Sequence, residues 1–219
     1  MTEYSPIFVT GVERSGSSMI ARILNICGVF TGTVNNMQEN VKIKGMLQNF
    51  IQQNPQNELI PATEDMYIPM DWRRKVQGML EFDGYKKGVW MYKDAQLTQT
   101  WPVWNYAYPN ARWIIVRRRS GDIIQSCVKT GFMTTIKEPF NRERIGVQTE
   151  EEGWLWWIHQ YEDRFRDMIY AGVNCKVVWP ERMVRGDYQQ VYETLEWLGL
   201  KWDSKILETI DPMLEKSRR

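Results

Sequence analysis

Histidine and cysteine are scarce: the 219 residues hold one histidine, His159, and three cysteines, Cys27, Cys127 and Cys175. An odd, widely spaced set offers no disulfide framework and no zinc-ligand spacing, so it fits a reduced, cytoplasmic protein and a site without metal. Net charge is also nearly lacking. The 28 Lys+Arg and 27 Asp+Glu leave +1, which argues against a chain that coats nucleic acid or an acidic membrane. No apolar run approaches the ~18 residues of a transmembrane helix, so no membrane span is expected. The start, Met1 to Pro6, is polar and shows no signal peptide. Internal repeats and low-complexity segments are absent. What is abundant is tryptophan, with 11 residues that could serve the core or stack on a ligand. At about 150 residues per domain, the length predicts a single domain, 1–219, with a sizeable core.

Strand-like and helix-like pieces alternate along the chain. Ile7 to Thr10 reads as a buried strand. Ser17 to Cys27 carries Met19, Ile20, Ile23 and Leu24 at helical spacing and stops at Gly28. Helices are expected over Asn40 to Gln53, Trp72 to Phe82, Leu97 to Tyr106 and Asp122 to Thr130. Strands are expected over Val89 to Tyr92, Trp113 to Val116 and Lys176 to Trp179. Residues 54–70 are rich in Pro and Asn and read as loop. Residues 131–148 mix Gly, Pro, Lys and Arg without periodicity and read as a mobile loop, with Lys129, Lys137, Arg142 and Arg144 around it. Thr149 with Glu152 has the spacing of a capping box. It opens a long helix whose apolar stripe includes Trp154, Trp157, Tyr161 and Phe165. A final helix is expected over Asp187 to Leu198, with Gly199 at its end. Repeated strand–loop–helix units predict an α/β fold of three layers, a mostly parallel central sheet with helices on both faces.

Two strand ends carry anion-binding chemistry. The first loop, Gly11-Val12-Glu13-Arg14-Ser15-Gly16-Ser17-Ser18, has the frame G-x-x-x-x-G-x-S of a P-loop-like turn. Glycines let backbone N–H groups turn inward, and the next helix points its positive end at the same spot. Arg14 and the serine hydroxyls add donors. A nucleoside-triphosphate loop has lysine where Ser17 stands, so the group that reaches β/γ-phosphates is missing. At the second site the strand ending at Val116 delivers Arg117, Arg118 and Arg119 to the rim where ligands of open α/β sheets lie. Strand alternation sets Arg117 and Arg119 on one face and Arg118 on the other. Arg118 and Ser126, on the following helix, are placed to converge on one phosphate. The acids fall mostly elsewhere, as at Glu150 to Glu152 and in the C-terminal helices.

Together these sites resemble the family of sulfotransferases that use 3′-phosphoadenosine 5′-phosphosulfate (PAPS). Arg14-Ser15-Gly16-Ser17-Ser18 is similar to their 5′-phosphosulfate loop, and Arg118-x-x-x-Asp122-x-x-x-Ser126 to their 3′-phosphate motif. The strand leading into Lys93 resembles the family's strand–lysine element, and Leu198-Gly199 its late Leu-Gly helix end. The resemblance spans roughly Ile7 to Leu200. It departs in reading Ser-Gly-Ser-Ser where Ser-Gly-Thr is commoner, Ser120-Gly121 where a proline often follows the arginine, and Ala95 where the usual histidine base stands.

The resemblance implies transfer of a sulfuryl group from PAPS to a hydroxyl or amine of a carbohydrate, lipid or other small acceptor, leaving 3′,5′-adenosine bisphosphate (PAP). Arg14 and the loop would hold the phosphosulfate, Lys93 would stabilise the leaving group, and Arg118 with Ser126 would hold the 3′-phosphate. For the base, Glu39 matches the segment from which carbohydrate and lipid sulfotransferases draw a glutamate; Asp94 and His159 are the other candidates. Trp72, Trp101 and Trp104 are candidates for stacking on adenine or a sugar, and the tail Lys216 to Arg219 for reaching the nucleotide phosphate. Two other readings stand beside this one. They are a P-loop kinase of a small metabolite, and a non-catalytic nucleotide-binding module of the same fold.

Overall fold

The computed structural model describes residues 5–53, 59–60, 66–208 and 210. In chain order its elements are β1 (Ile7–Gly11), α1 (Ser17–Ile26), α2 (Val41–Gln53), α3 (Trp72–Phe82), β2 (Met91–Lys93), α4 (Gln96–Gln99), α5 (Trp101–Ala107) and β3 (Arg112–Val116). Then come α6 (Ser120–Thr130), α7 (Thr134–Lys137), α8 (Pro139–Arg144), α9 (Glu150–Tyr170), β4 (Cys175–Val178), α10 (Glu181–Val184) and α11 (Gln189–Trp197). The strands form one all-parallel sheet in the order β2-β1-β3-β4.

The period-2 alternation of side chains divides the core between the two faces. Phe8, Tyr92, Trp113 and Ile115 join α2, α3, α5, α6 and α9 in one cluster. Ile7, Val9, Ile114 and Val116 join α1, α10 and α11 in the other. Both faces are therefore covered, as a parallel sheet requires. The helix after β1 lies on one face and the helix after β3 on the other. Their loops part between these neighbouring strands, which opens a crevice at the strands' carboxyl ends. Gly11 pairs with Val116 at that point, and a Cβ on Gly11 would stand 2.3 Å from the Val116 carbonyl oxygen. Glycine here is demanded by close approach of the strands as well as by the turn.

Several expectations need adjustment. The helix expected over Leu97 to Tyr106 splits at Thr100 into α4 and α5, because Pro102 belongs to a helix start rather than an interior. Residues 131–148 are not plain loop: α7 and α8 lie there, and Ile136 is fully buried against Gly153 of α9. One apolar anchor in a short helix gives too weak a periodic signal to be read from sequence. Arg142 donates to the Ile136 and Lys137 carbonyls and staples this segment internally. Arg144 stacks 5.8 Å over Phe140. The Thr149–Glu152 capping box is formed in both directions. Among the described residues no helix is long and apolar enough to cross a membrane. Part of the 54–70 loop and the tail Lys216 to Arg219 lie outside the described residues.

Candidate active site

A cleft of about 530 Å³ sits over the carboxyl ends of β1 and β3. Its floor is the first loop. Arg14 has φ +64° and Gly16 φ +96°, so the chain turns back on itself between β1 and α1, and the Ser15 N–H closes the turn on the Val12 carbonyl at 3.1 Å. Gly16 is the N-cap of α1 but supplies no side-chain cap, which leaves the first N–H groups of that helix facing the cleft. Ser15 Oγ is buried without a hydrogen-bond partner. A buried orphan hydroxyl in a glycine-built cradle suits an anion that would supply the missing acceptor.

Arg14 and Arg118 meet. Arg118 donates from its guanidinium to the Arg14 carbonyl at 3.1 Å, and Arg14 Nε donates to Ser126 Oγ at 3.0 Å. Arg14, Ser15, Gly16, Ser17, Ser18, Lys93 and Arg118 all line the cleft. Ser126 is brought to it through Arg14. Arg117 turns away to pair with Glu162 and stack 5.1 Å over Trp179. Arg119 lines the cleft beside Arg118, contrary to the alternation expected of a strand. The strand stops at Val116 and Arg119 is already the N-cap of α6, so period 2 no longer applies.

Beside the cradle lies a buried charge cluster. Lys93 Nζ is 3.1 Å from Glu39 Oε1, and both residues are almost fully enclosed. Asn35 Nδ2 donates to Glu39 Oε2 at 3.0 Å, and Lys44 Nζ bonds the same oxygen. Lys44 also stands 3.6 Å from Asp94 Oδ2, which accepts a 2.7 Å bond from the Tyr92 hydroxyl. Burial pushes the Glu39 carboxyl up, but Lys93, Asn35 and Lys44 together outweigh it and hold it below the usual glutamate range. Asp94 goes the other way: burial, then the Glu39 charge, raise it despite Lys44. Glu39 is therefore the carboxyl held more acidic of the two, set one hydrogen bond behind the cleft wall that Lys93 forms.

Cations outnumber carboxylates on the wall. Arg14, Arg22, Lys93, Arg118, Arg119 and Arg185 face Glu13, Asp122 and Glu181. The near-neutral chain thus concentrates positive charge here, although the acids are not as remote as expected. The cleft, with its glycine-built loop, its two joined arginines and a buried lysine, agrees with a comparison against protein families: the pattern described as "Sulfotransferase family" matches residues 6–204. The chain belongs to that family.

Solved sulfotransferases share the fold. That of Alicyclobacillus acidocaldarius superimposes with a TM-score of 0.55 at 16% identity, covering 99% of this chain and 93% of its own. Sulfotransferase STF9 from Mycobacterium avium gives 0.53 at 13%, covering 99% and 69%. Sulfotransferase STF1 from Mycobacterium tuberculosis H37Rv gives 0.51 at 12%, covering 99% and 76%. Comparison with curated protein sequences finds no match.

Within this sulfotransferase fold, other expected site residues fall outside the cleft. Trp72 and Trp104 are core: they are buried and pack edge to face, 5.3 Å apart. Trp101 is half-buried against the same cluster. Their ring planes are taken by protein, so the adenine-stacking expectation fails for the first two. His159 is exposed on α9 and does not line the cleft. Trp157 is core, as its stripe predicted, but its Nε1 also donates to Glu13 Oε2 at 2.9 Å. With the Tyr161 hydroxyl on Glu13 Oε1 at 3.2 Å, it ties the loop to α9. Burial is the main cause that raises the Glu13 carboxyl above its ordinary value.

Sequence reasoning also missed Arg22, whose Nε is buried without a partner, and Arg185. Arg22 had a usable signal, one helical turn beyond Ser18 on the same face of α1. Arg185 had none, because only the packing of α10 brings it to the cleft.

Proposed function

We propose that this protein transfers a sulfuryl group from PAPS to a hydroxyl or amine of a small-molecule, carbohydrate or lipid acceptor. The observation that carries the reading is the joined pair of anion anchors, Arg14 on the uncapped loop and Arg118 at the end of β3, with Lys93 between cleft and buried carboxylate. With Ser17 in place of the lysine that reaches β- and γ-phosphates, and a second arginine beside the loop, the set suits a nucleotide charged at both its 5′ and 3′ ends better than a triphosphate. Arg14, the loop amides and Ser15 Oγ hold the 5′ end, and Arg118 with Ser126 the 3′ end. When bound, PAPS supplies the activated sulfuryl group.

Lys93 places a cation where the bridging oxygen gains negative charge, and fixed dipoles in a dry site are worth more than the same groups in water. Glu39 takes the proton from the acceptor as its oxygen or nitrogen bonds to sulfur and the sulfur–oxygen bond to the nucleotide breaks. Both roles require Lys93, paired with Glu39 Oε1 here, to turn from it towards the donor, which would free that oxygen. Ala95 leaves no histidine to share the task.

Calorimetry tests the donor. PAP is expected to bind without Mg²⁺, and ATP with Mg²⁺ poorly. A preference for ATP and Mg²⁺ overturns the reading in favour of a kinase. Transfer of labelled sulfate across an acceptor panel tests the chemistry. PAP binding with no transfer to any acceptor points instead to a binding module.

A further inference from the structure

Helix α2 begins against local rules. Its first turn contains Lys42 and Lys44 and no acid, although the positive end of a helix dipole disfavours cations there. Such local conflicts persist where tertiary contacts or function require them. Asn40 caps the helix, with Oδ1 accepting from the N–H groups of Lys42 and Ile43 at 3.1 Å each. The two lysines then diverge. Lys42 pairs with Asp83 at the end of α3, a contact between packed elements outside the cleft. Lys44 turns inward, to Glu39 Oε2 and to Asp94 Oδ2 at 3.6 Å.

We propose that Lys44 is a positioning residue for the base: it fixes the Glu39 carboxylate through Oε2 and stands between it and Asp94. The inference rests on the reading of Glu39 as base. Lys93 has two claims on it, the carboxylate and the donor's bridging oxygen. When Lys93 serves the donor, Glu39 keeps Asn35 and Lys44. Without Lys44, Glu39 would lose the cation on Oε2 and would face the buried Asp94 with no positive charge between them, which disfavours its ionised form and raises its midpoint. A protonated Glu39 accepts nothing from the acceptor. Charged and titratable groups facing Glu39 are Lys93, Asp94 and Tyr92 from β2 and its end, and Lys44 from α2. Lys44 does not line the cleft, so it acts through Glu39 rather than on the donor.

Carboxyl ¹³C titration of Glu39 in the unliganded protein, assigned with Glu39→Gln, reads this without any acceptor. Lys44→Met is expected to raise the Glu39 midpoint by about one unit. Lys44→Arg, which keeps the cation, should stay close to wild type. Lys42→Met should lower thermal stability and leave the midpoint alone. In turnover, the acidic limb of the kcat/KM profile of Lys44→Met should move up by the same amount, with PAP affinity nearly unchanged. An unmoved midpoint in folded Lys44→Met overturns the proposal, as does failure of Lys44→Arg to restore it while folded. A midpoint that moves while the acidic limb stays put leaves Lys44 coupled to Glu39 and overturns Glu39 as base instead.

Discussion

At the scale of single residues, the roles proposed for Arg118 and Glu39 separate binding from chemistry. Arg118→Ala should weaken PAP far more than adenosine 5′-monophosphate, because only the first carries the phosphate assigned to that guanidinium. Calorimetry with both nucleotides checks this, and equal losses would move the 3′-phosphate elsewhere. Glu39→Gln should lower turnover by roughly 10²–10⁴-fold, the usual worth of a general base. Its PAP affinity should hold, since Glu39 touches the cleft only through Lys93. Wild-type turnover in that variant would remove Glu39 from the reaction. Arg14, Ser15 and Gly16 were legible because a turn motif is local: neighbouring residues build it. Lys44 and Asp94 were not legible as partners. They are distant in sequence, and an ion pair formed by two packed elements leaves no spacing to read.

Among the elements, the meeting of β1 with β3 governs the site. Gly11→Ala would set a Cβ 2.3 Å from the Val116 carbonyl oxygen and 2.7 Å from Ser15 Oγ. Backbone cannot yield there as a flexible side chain could, so the strands must part. The expected cost is that of overpacking, about 1–3 kcal/mol. Thermal denaturation should show a midpoint lower by several degrees, together with weaker PAP binding. An unchanged midpoint would show that β1 and β3 can separate freely. The strand–loop–helix of β1 and α1 was readable in sequence because its apolar spacing and glycines agree. Helices α7, α8 and α10 were not, since four to six residues hold too few apolar positions to define a period.

For the whole molecule, charge is balanced in sum and uneven in space. Acid sensitivity follows from the same unevenness. Burial would raise Asp83, but Lys42, the Thr33 N–H and Asn40 overcome it and hold the carboxyl below the ordinary aspartate range. A lowered folded value stabilises above the unfolded one, and that stability is lost as pH falls through the folded value. Asp83→Asn should therefore melt below wild type at neutral pH. The gap should begin to close only below about pH 3.9, the unfolded aspartate value. A gap independent of pH would mean that packing, not charge, is what Asp83 contributes. The chain's own order of residues determined the α/β class, the anion loop and the arginine-bearing strand end, because each rests on contacts between near neighbours. Tertiary structure alone decided that Trp72 and Trp104 are core, that Arg118 meets Arg14, and that Glu39 sits among Lys93, Lys44 and Asp94 with its carboxyl held below the usual range. Those outcomes depend on how distant elements pack and on how much water they exclude, and neither is written in local spacing.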